Sequence, residues 1–389
     1  MNFGARIGSL LRFARYFAIK VLSLLVFPRR RWRKIWLFAE RGNDVCDNAW
    51  ALFRYVRERE PHRRVYYVLE KDSPYREDVR GAGKILRRGS FLHLLLYFLP
   101  TVKISTHIFG GLPDTGLFAS RAGRRFLRAA GATVFLQHGV IKNDIPALYA
   151  ENTDLALFVC SAAPEYAFVG ERFGYPDGVV RELGLPRFDL LYDAPAAARQ
   201  ILFFPTWRAN LKTSADFAAS DYAAALRKIL INPRMDALLE KYNARLVFAP
   251  HFELRGFLRE IPVCGKRISV DTGDVGALIR SSAALITDES SVMFDFAYMG
   301  RPVIYAQADG LCDSNYPAGW FDCERDGFGE ITRSEDELLA AVERVLARDF
   351  RAEEKYLRRG ERVFPHRDRE NRKRCHDAIL EVAKNAKLW

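Results

Sequence analysis

Cysteine is sparse and scattered in this 389-residue chain: Cys46, Cys160, Cys264, Cys312, Cys323 and Cys375 form no C-x-x-C pair and have no histidine at metal-ligand spacing. This argues against a zinc site or a disulfide framework and for free thiols in a reducing compartment. The chain also lacks G-x-x-x-x-G-K-[ST], G-x-S-x-G and H-E-x-x-H, so the common nucleotide-loop, serine-hydrolase and zinc-protease signatures are out. Gly81-Ala82-Gly83 has neither the further glycine nor the strand context of a dinucleotide fingerprint. No two aspartates are spaced D-x-D, the metal-bridging pattern of many sugar transferases. Neither a metal nor a cofactor is therefore expected. A diphosphate would have to be neutralised by arginine, histidine and helix N-termini.

Acids are missing from the N-terminal segment. Residues 1–34 carry nine basic side chains, and the first acid is Glu40. Removing those nine from the 60 Lys+Arg leaves 51 against 48 Asp+Glu, an excess of three for the rest of the chain. The net charge of +12 is thus a local feature, not a nucleic-acid-binding surface spread over the body. At helical periodicity Phe3, Ile7, Leu10, Leu11, Phe17, Val21, Leu24 and Leu25 share one side, and Arg12, Arg15 and Lys20 lie opposite. The apolar run Tyr16–Phe27 is interrupted by Lys20 and falls short of the roughly 20 residues that span a bilayer. Followed by Arg29-Arg30-Arg31, it reads as an interfacial helix on an anionic cytoplasmic leaflet, a peripheral attachment. The alternative is an N-terminal helix packed on the first domain.

Beyond residue 34 the pattern alternates between apolar strands and helices. Lys34–Ala39, Arg64–Glu70, Val102–Thr106, Thr133–Gln137 and Leu155–Cys160 read as strands, with helices at 47–59 and 91–99. After Pro186–Pro195 the alternation restarts, with strands at 201–204, 245–249, 283–287 and 302–305 and helices at 216–230, 233–242, 273–281, 290–299 and 335–347. The expected fold class is α/β, with two Rossmann-like domains, each a mainly parallel sheet wrapped by helices. The expected divisions are a basic amphipathic segment 1–33, two Rossmann-like domains, 34–192 and 193–365, and a C-terminal helix 366–389.

Four polar clusters sit where strands end, the ligand-binding edge of open α/β sheets. In Phe135-Leu136-Gln137-His138-Gly139, a histidine follows a strand and a glycine allows a tight turn. His138 is suited to taking a proton from an alcohol, or else it satisfies a buried loop. In Pro205-Thr206-Trp207-Arg208, Arg208 is either a phosphate clamp or one half of a structural ion pair. Ala249-Pro250-His251 repeats the strand-then-histidine arrangement. In Thr287-Asp288-Glu289-Ser290-Ser291, serines precede a helix whose start would favour a pyrophosphate, unless they merely cap it.

Together these clusters resemble the CDP-glycerol glycerophosphotransferases that build teichoic acids. The resemblance covers roughly residues 34–365. It is carried by Gln137-His138-Gly139, Gly184-Leu185-Pro186-Arg187-Phe188-Asp189, Pro205-Thr206-Trp207-Arg208, His251, Thr287–Asp295 and Arg301-Pro302-Val303. It implies a GT-B-like fold, CDP-glycerol or another CDP-polyol as donor, and an undecaprenyl-diphosphate-linked saccharide as acceptor at the cytoplasmic face of the membrane. Residue by residue, it makes His138 and His251 the catalytic pair. Thr206, Arg208, Asp288, Ser290, Ser291 and Gly139 would serve substrate binding. The chain departs from the family pattern at Gln137, where tryptophan is common, and at Phe252, where proline is. It departs again at Ala209-Asn210, which replace acids, and at Glu289, which replaces an aromatic. A long N-terminal region common in the polymerases is missing, so a primase-type enzyme is the nearer comparison. A UDP-sugar or CDP-ribitol donor keeps the fold and changes the reaction. A nucleic-acid-binding protein is the alternative of another class.

Overall fold

The computed structural model describes residues 3–26, 32, 34–192, 198–263, 265–311 and 316–385. The Arg29-Arg30-Arg31 cluster and residues 193–197, where the second domain is expected to begin, lie outside these. The chain forms two parallel sheets flanked by helices, an α/β fold of the expected class.

The first sheet holds β1 (Trp36–Ala39), β2 (Val65–Leu69), β3 (Lys84–Arg87), β4 (Val102–Ser105), β5 (Ala132–Phe135), β6 (Leu157–Cys160) and β7 (Val180–Glu182), in the order β3-β2-β1-β4-β5-β6-β7. The second holds β8 (Ala198–Phe203), β9 (Arg245–Phe248), β10 (Ile268–Val270), β11 (Ser282–Thr287), β12 (Val303–Ala306) and β13 (Gly329–Thr332), in the order β10-β9-β8-β11-β12-β13. Every pairing is parallel. Helices therefore cover both faces of each sheet, and the central strands are fully buried runs such as WLFA in β1 and SAALIT in β11. The strand order reverses between β1 and β4 in one sheet and between β8 and β11 in the other. Ligands of such sheets lie outside the carboxyl ends of strands at these switch points.

The C-terminal helix Asn371–Asn385 returns to the first sheet, placing Cys375, Ala378, Ile379 and Val382 in a core with Trp36, Phe53 and Tyr67. The expected helix at 216–230 divides into Ser214–Ala218 and Asp221–Leu230, because Ser220 caps the second piece by accepting from Ala223 N–H at 3.1 Å.

At the N-terminus, α1 (Phe3–Val26) lies on the helix Phe91–Phe98. Tyr16 and Ile19 are buried with Leu94, Phe98, Phe118 and Leu127, while Arg12 pairs with Asp114 at 3.4 Å and Lys20 donates to Phe126 O at 3.0 Å. The opposite face, Ile7, Leu10, Leu11, Phe17, Val21, Leu24 and Leu25, is exposed. One helix thus carries both features: a side packed on the domain and an uncovered apolar side. Among the described residues no helix is long and apolar enough to cross a membrane.

Candidate active site

The first-domain half of the site is built on a strained turn. Gln137 follows β5 with φ 62°, a conformation rare for a residue with a side chain. Its amide nitrogen donates to Val159 O and, at 3.1 Å, to Glu165 Oε1. Buried Glu165 also accepts from the N–H groups of Ile141 (2.6 Å), Ser161 (2.8 Å) and Ala162 (3.3 Å). This network holds the turn, and His138 leaves it facing the cleft between the sheets. The ring is open to the cleft yet has protein around it. Loss of hydration, then Arg41 and Arg187, push its pKa down to about 4, partly offset by a hydrogen bond to the Thr106 backbone. That bond raises the pKa, so it is a ring N–H donating to the Thr106 carbonyl. The imidazole of His107, which follows β4, stacks on His138 with centroids 4.5 Å apart and planes 12° from parallel.

In the second domain, Asp288 follows β11 and is fully buried. Its Oδ1 accepts from Thr206 N–H (2.9 Å), Thr206 Oγ1 (2.8 Å) and Glu289 N–H (2.6 Å). Its Oδ2 accepts from Arg208 Nη1 at 3.0 Å. Arg208, 4% exposed, also donates to Thr206 O at 2.8 Å and lies 4.8 Å from the centre of the Tyr222 ring. Of the two readings open for Arg208, the structure contains the ion pair. The pair ties the end of β8 to the end of β11. His251 follows β9, stacked on Trp207 at 5.8 Å and 11°. Burial, then Arg41, His138 and Arg255, lower its pKa to about 3. His138 is among the groups that act on it, so the two histidines lie near one another.

The halves meet at residues the sequence had marked. A Cβ on Gly139 would lie 2.8 Å from Ser291 Oγ, so the His138 turn and the serine loop are in close contact, and a side chain at 139 would turn the Ser291 hydroxyl aside. Ser290 N–H donates to Thr287 Oγ1 at 3.2 Å, and Val292 N–H to Ser290 Oγ at 3.4 Å. The helix they precede, Val292–Tyr298, is only seven residues long, and Ser291 makes no side-chain cap. Capping here is the work of Ser290.

Several site residues escaped the sequence reading. Arg187 binds Asp295 at 3.0 and 2.8 Å, Asp47 at 2.8 Å and the His138 carbonyl at 2.8 Å, bridging the two domains beside the His138 turn. The motif around Arg187 stands out in the sequence, but nothing in it reveals two acidic partners more than 100 positions away. Lys142 pairs with Glu289 at 3.1 Å, and Trp320 Nε1 donates to Ile141 O at 2.7 Å, so the segment after His138 is gripped by the second domain. The Lys142 pair accounts for an acid where the family often has an aromatic. His107 carried the same signal as His138, a histidine just past an apolar strand. Among the described residues no group of three His, Cys, Asp or Glu stands together as a metal-ligand set.

The family model for CDP-Glycerol:Poly(glycerophosphate) glycerophosphotransferase matches residues 21–381. The minor teichoic acid biosynthesis protein GgaB of Bacillus subtilis (strain 168) is 29% identical over 375 residues, which cover 91% of this chain. The matched region spans 40% of the length of GgaB. The wall teichoic acid polymerase TagF, as a histidine variant, superposes with a TM-score of 0.71 at 15% identity over 100% of both chains. Another TagF variant, soaked with CDPG, gives 0.65 at 16% identity over 99% of both. At these identities the structural matches are likenesses of fold, and the fold is GT-B-like.

Proposed function

This chain belongs to the CDP-glycerol:poly(glycerophosphate) glycerophosphotransferase family, and on that premise we propose that it transfers glycerol phosphate from CDP-glycerol to a hydroxyl of a lipid-linked saccharide, releasing CMP. The acceptor oxygen attacks the glycerol-bearing phosphorus, the P–O bond to CMP breaks, and the hydroxyl proton passes to His138. The observation that carries this reading is the close contact of the His138-Gly139 turn with Ser291, with His251 of the second domain near enough to His138 to feel its charge. A base on one wall and a phosphate-binding loop on the other put an acceptor and a donor within reaction distance, the positioning on which phosphoryl transfer depends.

Within this reading the residues divide their work. His138, with one ring nitrogen bonded to Thr106, turns the other toward the acceptor, and its lowered pKa keeps it unprotonated near neutrality. His251 and the Ser290–Ser291 segment face the diphosphate. Thr206, Arg208 and Asp288 act one layer behind, fixing the loops that touch it. The exposed apolar face of α1 lies on an anionic membrane at the cytoplasmic side, where a lipid-linked acceptor is held, and the enzyme adds one or few units as a primase does.

The test is CMP release by purified protein given CDP-glycerol and undecaprenyl-diphosphate-linked saccharides. Release that requires both supports the proposal. Release from CDP-ribitol alone, or transfer from a UDP-sugar, would replace the donor. Release without acceptor would make the chain a hydrolase.

A further inference from the structure

We propose that His107 is a positioning residue for His138: backed by Arg41, its imidazole is a fixed shelf that holds the His138 ring with its free nitrogen toward the acceptor hydroxyl. The proposal rests on the reading of His138 as base.

Two parallel rings in contact could be ordinary packing, but the edges of these rings are fixed as well. Arg41 Nε–H donates to His107 Nε2 at 3.1 Å, so that nitrogen carries no proton. His107 is then the neutral tautomer with its hydrogen on Nδ1, which lies 2.9 Å from Thr106 Oγ1. The His138 ring donates to the carbonyl of the same Thr106. One residue thus holds an edge of each ring, its hydroxyl meeting His107 and its carbonyl meeting His138.

The shelf is itself anchored. Ser105 Oγ donates to His107 O at 2.7 Å and accepts from His107 N–H at 3.2 Å. Three residues on, a Cβ at Gly110 would sit 2.1 Å from Glu40 O, so glycine is needed for the loop to fold back over the end of β1. Arg41, directly after β1, and His107, directly after β4, occupy the switch point of the first sheet. Arg41 also lies 4.2 Å from the centre of the Phe252 ring, next to His251.

The arrangement suits a base. A protonated His107 would repel an imidazolium at His138. Burial first, then His138 and the Arg41 cation, oppose its protonation, lowering its pKa to about 2. When His138 accepts the acceptor's proton, its new charge lies over the face of a neutral aromatic ring, a favourable placement. The charged and titratable groups around His138 are Arg41 after β1, Asp47 ahead of the helix Asn48–Arg59, and Arg187 bound to Asp47 and Asp295. Glu165 acts through Gln137, and His251, itself beside Arg255, faces it from the second domain.

The experiment compares His107→Leu, His107→Phe and Arg41→Gln with wild type and His138→Ala. CMP release is followed across pH, and the His138 ring is observed by nitrogen-15 NMR in the resting enzyme. His107→Leu should lower kcat by about 10–100-fold, the scale of a small misplacement of a reacting group, with the KM for CDP-glycerol little changed. His107→Phe keeps a ring face and should retain more turnover than His107→Leu. The single His138 tautomer of the wild type should become a mixture in His107→Leu. Arg41→Gln removes a cation that disfavours the His138 imidazolium, so the acid limb of the pH profile should move to higher pH. His107→Asn, with a polar side chain and no ring, takes the place of His107→Leu if circular dichroism shows the latter unfolded. Wild-type kcat and an unchanged tautomer in a folded His107 variant, with His138→Ala inactive, overturn the shelf and leave the base reading standing. Full turnover by His138→Ala overturns the base reading, and the shelf with it.

Discussion

Arg208 and Arg187 have the same side chain and different duties. Arg208 lies inside the second domain against a fully buried Asp288, with side-chain exposures of 5% and 0%. Removing one partner of such a pair leaves an uncompensated buried charge, at a cost of about 3–5 kcal/mol. Arg208→Ala should therefore appear first as lost stability, with a lower urea midpoint and an unchanged slope. A direct phosphate clamp would behave in the opposite way, with weaker CDP-glycerol binding at unchanged stability, and calorimetry beside urea unfolding separates the two. Arg187 spans the domains instead. Burial opposes its charge, but Asp295 and Asp47 more than compensate and hold the guanidinium protonated. Its bond to the His138 carbonyl places this cross-domain tie one bond from the proposed base.

At the scale of elements, α1 invites the clearest test. Deleting the segment would uncover Leu94, Phe98, Phe118 and Leu127, which Tyr16 and Ile19 help to bury. Leu10→Ser, Leu11→Ser, Leu24→Ser and Leu25→Ser combined change only exposed positions. This variant should melt near the wild-type temperature and fail to float with anionic liposomes, while wild-type flotation weakens with salt. Flotation unaffected by the four substitutions would contradict the interfacial role. The helix also illustrates what sequence periodicity conveys. It identified the apolar face but not the direction that face takes, since Tyr16 and Ile19 on another face do the packing. The central strands were legible because both of their faces are buried. Absent from the sequence reading were β3, β7, β10 and β13, the four sheet edges, whose sequences KILR, VRE, ISV and GEIT are short and half polar because an edge strand is covered and paired on fewer sides. In the site, His138, His251, Asp288 and Ser291 stood out because each follows a strand. The partners of Arg187 and the Arg41–His107 contact depend on long-range closure of the fold and leave no local pattern.

At the scale of the whole molecule, the cleft is a place where histidines are kept neutral. Burial first, and then the arginines, depress His138 to about 4 and His251 to about 3. A bound diphosphate adds negative charge beside them, which favours imidazolium and raises both pKa values. Donor binding near pH 6 should therefore take up protons, and the calorimetric enthalpy should vary with the ionisation heat of the buffer. Equal enthalpies in all buffers would mean that the diphosphate lies away from these rings.

The central claim, that His138 takes the acceptor's proton while His251 serves the donor side, is tested most directly by CMP release from donor-saturated His138→Ala. The account predicts a fall of about 10²–10⁴-fold, the usual contribution of a general base, with CDP-glycerol affinity close to wild type. Near wild-type turnover in His138→Ala at saturating donor and acceptor would contradict it.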